Sequence, residues 1–219
     1  MQPLTLQIGM MGHTVLIQQN LLRFQQIQQE WSPVTSIQII AAPINRETRL
    51  QDLDGLLITG LCCPSLQKRF WPLYAKMAGM HTCETLSLWG NAAGAALLGN
   101  NQCVSAIDCN ITCKDSTRVT TSVLELPGND HIANRFTAYF LPKINFVNPA
   151  PNIGILCLDT CHGIQAVRQG NHLATGFVAE LTPQPYIYHY WLNMLIDLKK
   201  SRERNTKDVC AVMCRKYSY

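Results

Sequence analysis

The chain has 219 residues, enough for one large domain, and its 47% hydrophobic and 15% charged residues describe a globular body rather than a disordered one. No run approaches the ~18 apolar residues of a membrane span, and the opening MQPLTLQIGMMGH lacks the basic start and unbroken apolar core of a signal peptide, so a cytoplasmic protein is expected. The net charge of +4 is uneven: residues 199–219 sum to +5 and leave the body near −1, and no interleaving of basic and aromatic residues elsewhere favours nucleic acid.

In chain order, LTLQIGM (4–10) reads as a buried strand, and Val15, Ile17, Leu21, Phe24, Ile27 and Trp31 then recur at helical spacing. SIQIIAA (36–42) and DGLLITG (54–60) are the next strands. SLQKRFWPLYAKMAG (65–79) predicts a helix interrupted near Pro72. LSLWGNAAGAALLGN (86–100) outlines a strand, a sharp turn between Gly90 and Gly94, and the start of a packed helix. Such a turn often raises a nucleophile above a sheet edge, yet its middle residue is Ala92.

Alternation of strands and helices over this half predicts a parallel sheet with helices on both faces. The segments CVSAIDCNITCK, RVTTSVLEL, FTAYFLPKINFV, NIGILCLD, GIQAVRQ and HLATGFV then follow one another as strands, predicting an antiparallel or mixed portion. QPYIYHYWLNMLIDLKKS closes the domain as an amphipathic helix. Beyond it KKSRERNTKDVCAVMCRKYSY is highly charged in its first half, which predicts a frayed helix or disorder. The domain is therefore expected over 1–198, with a basic C-terminal extension over 199–219.

The ten cysteines read as reduced thiols or small buried hydrophobes. The pairs Cys109/Cys113, Cys157/Cys161 and Cys210/Cys214 are four apart, but no C-x-x-C knuckle occurs, and no metal or other cofactor is expected.

Ligands of open α/β sheets bind beyond the carboxyl ends of the strands, which directs attention to 9–13, 59–65, 90–94 and 176–184. At these loops the chain reads MMGH, DGLLITGLCCPS, GNAAGAALLG and GFVAEL. It resembles the class I (triad) glutamine amidotransferases, and among them the glutaminase subunit of pyridoxal phosphate synthase, whose DGLILPGGEST, GTCAG and SFHPEL come in the same order. GIQAVRQGNHLATGFVAEL echoes the family's VAAKQGNILGTSFHPEL over a longer run. The resemblance covers about 4–198 and implies a three-layer αβα, flavodoxin-like fold with a mixed central sheet.

The resemblance also implies where chemistry would reside, and the sequence departs from the family there. Ala92 stands where the family has its nucleophilic cysteine, and Val178 where it has its histidine; of the triad only Glu180 remains. The family's PGGES loop corresponds to Thr59, Gly60, Leu61, Cys62 and Cys63, and the elbow neighbours are Asn91 and Ala93. Its RN-(S/A)-(F/Y)-GRQ segment is echoed by Lys114 to Arg118.

The expected function is that of a degenerate, catalytically inactive glutaminase-like protein, a pseudoenzyme that binds or regulates a partner. The resemblance points to the pyridoxal phosphate synthase barrel subunit or an active glutaminase homologue as that partner, with self-association as a further possibility. The alternative is an active glutaminase or hydrolase supplying ammonia for vitamin B6 biosynthesis, or one using Cys62 or Cys63 as a substitute nucleophile. Without a base at Val178, however, neither thiol has an evident activator. Glu180 without its histidine is expected to serve as a helix-cap or loop hydrogen-bonding residue.

Overall fold

Strand β1 (Leu4–Gly12) lies inside the central sheet, one strand in from its edge, and buries Leu6, Ile8 and Met10 completely or nearly so, which suits an apolar run covered on both faces. The computed structural model describes residues 3–45, 47–60, 86–100, 102, 104–114, 118–127, 134–141 and 143–216, with side chains through residue 205. The expected helix at 65–79 and residues Leu61, Cys62 and Cys63 lie outside the described residues.

After β1 come helix α1 (Thr14–Trp31), β2 (Ile37–Pro43), β3 (Gly55–Thr59) and β4 (Ser87–Asn91). Then follow β5 (Asn110–Lys114), β6 (Thr120–Leu126), β7 (Asn134–Phe140) and β8 (Lys143–Val147). The last strands are β9 (Gly154–Asp159), β10 (Gly163–Gln169) and β11 (His172–Thr175), before the closing helix (Tyr186–Lys216). The central sheet has seven strands in the order β2-β1-β3-β4-β11-β10-β9. Its first five positions are parallel, β10 runs opposite to them and β9, antiparallel to β10, runs with them again, so the sheet is mixed as the sequence pattern predicts.

Alternate residues of the parallel strands feed two cores. Leu6, Ile8, Leu57 and Trp89 meet α1, the closing helix and the β6–β7 pair on one face. Leu56, Ile58, Leu88 and Val167 meet Leu97, Leu98 and the β5–β8 pair on the other. The first core centres on aromatic rings: Trp89 lies 5.0 Å from Tyr188 and 5.2 Å from Trp191, and Phe24 lies 5.5 Å from Tyr188. Each such ring stabilises the fold by roughly 1.5–3 kcal/mol through burial, with about 0.5–1.5 kcal/mol more for well-oriented pairs.

The packed helix expected after the sharp turn is a seven-residue 3-10 helix, Ala92–Leu98. It ends at Gly99, and the chain is drawn at once toward β5, with the Asn100 N–H bonded to the Cys109 carbonyl at 2.8 Å. The closing helix, in turn, runs on through Lys216 instead of fraying after 198. Lys199 anchors this continuation, its Nζ donating to Thr5 O at 2.6 Å and Asp54 Oδ2 at 2.8 Å, and Arg202 lies 3.9 Å from Asp54. Lys, Arg and Glu, frequent in this stretch, are strong helix formers.

No helix among the described residues is long and apolar enough to cross a membrane. Cys109 and Cys157 are buried, and burial pushes their thiols upward, Cys157 to about 12, so both remain protonated packing residues.

Candidate functional site

The ends of four parallel strands are aligned by the register of the sheet. Gly12 pairs with Thr59, Thr59 with Asn91, and Asn91 with Thr175. Gly60, Ala92 and the 176–181 loop follow directly from those ends, so the geometry gathers Gly60, Asn91, Ala92, Ala93, Val178 and Glu180 at one place.

The turn after β4 is built by close backbone approach. A Cβ on Gly94 would fall 2.1 Å from the Ile58 carbonyl oxygen, and one on Gly90 would fall 2.7 Å from Ala95 Cα. Any side chain at either position would force the 3-10 turn away from the sheet. Between them Ala92 has φ 49°, a left-handed conformation that costs a non-glycine residue roughly 1–2 kcal/mol. The strained elbow is thus present, with a buried methyl group at its apex.

Glu180 enters from the 3-10 turn Ala179–Leu181, where Val178 is the N-cap and donates its N–H to Tyr139 O at 2.8 Å. The Glu180 carboxylate is 8% exposed and enclosed by side-chain donors. Its Oε1 accepts from Asn20 Nδ2 at 2.6 Å and Thr59 Oγ1 at 2.5 Å, and its Oε2 accepts from Asn91 Nδ2 at 2.6 Å. These donors are themselves held. Tyr188 donates to Asn20 Oδ1 at 2.7 Å, while Thr175 Oγ1 and the Ala179 N–H both donate to Asn91 Oδ1 at 3.2 Å. Trp89 Nε1 reaches Thr175 Oγ1 at 3.1 Å. Burial, and then the Glu180 charge, push the Tyr188 hydroxyl well above its ordinary range, so it stays a neutral donor.

Asn20, Tyr188 and Thr175 were not singled out by the sequence. Asn20 had a signal: it falls on the buried stripe Ile17, Asn20, Phe24 and Ile27 of α1, where a polar residue requires a partner. The partner is 160 residues away, which no local pattern reveals.

The remaining candidates lie elsewhere. Lys114 ends β5 opposite Lys143 of β8. Arg118 lines a cavity of about 200 Å³ together with Thr120, Phe140, Lys143, His162 and Gln165, none of them from the elbow. A larger cavity, about 460 Å³, opens at the start of β11 among Asn100, Asp108, Gln169 and His172, away from both. Among the described residues no group of three or more His, Cys, Asp or Glu side chains is arranged to hold a metal ion.

No family model matches the chain. It is similar to the pyridoxal 5′-phosphate synthase subunit PdxT of Bacillus cereus strains AH187 and Q1, 26% identical over 172 residues in each case, covering 74% of this chain and 86% of the relative. Among solved structures, one described as a glutamine amidotransferase superposes with a TM-score of 0.67 at 18% identity, over 86% of this chain and 98% of that one. A putative GMP synthase protein from Thermoplasma acidophilum gives 0.61 at 13% identity, over 90% and 98% of the two chains. The Trypanosoma brucei CTPS glutaminase domain with bound acivicin gives 0.56 at 13% identity, over 88% and 94%. The fold, that of glutamine amidotransferases, is shared with all three structures, and the sequence is similar to PdxT over most of its length.

Proposed function

We propose that this chain is a glutaminase-like protein without glutaminase chemistry, and that it acts by binding a protein partner. Amide hydrolysis through a triad needs an atom that attacks, a base that takes its proton and a carboxylate that orients the base. Ala92 offers a methyl group with no lone pair, and Val178 accepts no proton. The observation that carries the reading is the state of Glu180: three side-chain donors already occupy its carboxylate, each about 2.5–2.6 Å away. Such a carboxylate serves packing and strand-end alignment.

What remains suited to function is surface. By likeness to a protein named as a subunit of pyridoxal 5′-phosphate synthase, the favoured partner is the synthase barrel subunit, with an active glutaminase homologue or a second copy next in order. Docking requires no triad. Sedimentation velocity of the purified chain mixed with the barrel subunit tests the partner: a faster boundary containing both proteins is expected. Independent sedimentation of the two at tens of micromolar would reject the barrel as the partner.

A further inference from the structure

A second buried carboxylate stands beside the cavity that Arg118 lines, and it is organised differently from Glu180. Asp159, at the end of β9, accepts from the Ser122 hydroxyl, from the N–H of Cys161 at 2.9 Å and from the N–H of His162 at 2.7 Å. Its Oδ1 also lies 2.7 Å from His162 Nδ1. Burial alone would raise this carboxyl; the hydrogen bonds from Ser122, His162 and Cys161 outweigh it and hold the group down at about 2, so it is a carboxylate at neutral pH. His162 Nδ1 faces this carboxylate, so in the neutral ring Nδ1 carries the proton and Nε2 the lone pair.

The imidazole is fixed on its other sides too. Its ring stacks on Phe140 at 4.7 Å with an interplanar angle of 12°, and Gln165 Nε2 donates to the His162 carbonyl at 2.6 Å. Nε2 is left at the cavity wall, with Thr120 Oγ1 3.5 Å away. Arg118 and Lys143 stand on the same walls, and Phe140 and Ile144 supply an apolar floor. Gln165 Oε1, in a residue 1% exposed, has no hydrogen-bond partner among the described residues.

We infer that this cavity is a binding site for a small phosphate group, its oxygens read by Arg118 and Lys143 and its P–OH donating to His162 Nε2. The inference is independent of the proposed function, since it uses none of the elbow residues. Arg presents a planar fork of donors, Lys a mobile point charge and the held imidazole an acceptor for a protonated phosphate oxygen. The two cations offer more N–H donors than a carboxylate's two oxygens can use, and a carboxylate at neutral pH has no O–H for Nε2. Asp159, the carboxylate bonded to this imidazole, directs its charge to His162 rather than opposing the ligand. The size agrees as well: about 200 Å³ is roughly six or seven waters' share of liquid volume, below the ~300–1,000 Å³ of sites for larger organic ligands.

The test is a nuclear magnetic resonance titration of the full chain with inorganic phosphate, at constant pH and with ionic strength held by sodium chloride. Saturable shifts are expected at the amides of Cys161, His162 and Gly163 and at the His162 ring. The variant Arg118→Gln/Lys143→Gln should bind at least about tenfold more weakly, the equivalent of ~1.4 kcal/mol, and His162→Asn more weakly as well. Lys200→Gln/Arg204→Gln makes the same change of charge on the closing helix and should leave binding unaltered. Because Arg118 and Lys143 are exposed, their variant remains informative even if His162→Asn fails to fold. Non-saturating shifts spread over the basic surface, unchanged binding by the Arg118/Lys143 variant, or equal binding of acetate would each overturn the assignment.

Discussion

Glu180 and Asp159 are both buried carboxylates on the same rim of the sheet, yet they are embedded in opposite ways. Glu180 is surrounded by neutral donors, Asn20, Thr59 and Asn91, and faces no imidazole among the described residues. Asp159 holds a histidine and stands beside an open cavity with two cations. A carboxylate satisfied entirely by amides and hydroxyls ties strand ends together, whereas one that orients an imidazole keeps a ring nitrogen at the cavity wall. On the proposed reading, the chemistry left on this rim lies away from the elbow.

The largest effect should come from breaking the cage. Glu180→Ala leaves the donors of Asn20, Thr59 and Asn91 buried without an acceptor, and about 3 kcal/mol or more of unfolding free energy should be lost by urea denaturation. Glu180→Gln, which keeps one acceptor oxygen, should lose less, about 1–2 kcal/mol. A loss under ~1 kcal/mol for the alanine variant would mean that water replaces the carboxylate and that the cage is open.

Asp159→Asn comes next, and its signature is a pH dependence. The carboxyl lies at about 2 in the folded chain against an ordinary 3.8, so it contributes stability above pH ~4 that disappears as pH falls toward 2. Wild type should therefore exceed Asp159→Asn by on the order of 2 kcal/mol at pH 6, with the gap closing on acidification. A gap that does not vary with pH would show that the effect is packing alone.

Asp54 supplies an intermediate case, a carboxylate that accepts from the Gln7 N–H at 2.8 Å and pairs with Lys199 at 2.8 Å. Lys199→Ala should lower stability by about 1–2 kcal/mol, while deleting residues 205–219 should change it by less than ~0.5 kcal/mol. Thermal melts of both variants check this, and a large loss on deletion would mean that the distal helix packs on the body. A small effect of opposite sign is expected at the elbow, where Ala92→Gly relieves the left-handed strain but loses a buried methyl, for a net gain near ~0.5 kcal/mol.

The sheet was legible because its information is local. Runs such as LTLQIGM and DGLLITG carry the burial of a central parallel strand, and turn residues separate the later strands cleanly. The glycines of the elbow were legible for the same reason, since Gly94 must admit the Ile58 carbonyl. The helix type after Ala92 was not, because seven residues of Ala, Gly and Leu suit either geometry and the following turn decides. The length of the closing helix was hidden by its charge. Lys199 and Arg202 look like a solvated end until Asp54 is placed beneath them. The cage around Glu180 was legible only as an anomaly at Asn20, because hydrogen bonds spanning 89 to 160 residues leave no periodic trace.

The central claim, that the elbow carries no chemistry, is tested most directly by ammonia release from glutamine, measured on the purified chain alone and with the synthase barrel subunit. The account predicts no release above the protein-free background in either case, and none after Ala92→Cys alone, since Val178 and the occupied Glu180 would still leave the new thiol without a base. Turnover by the unaltered chain approaching the ~1–10³ s⁻¹ of ordinary enzymes, abolished by Cys62→Ala or Cys63→Ala, would contradict it.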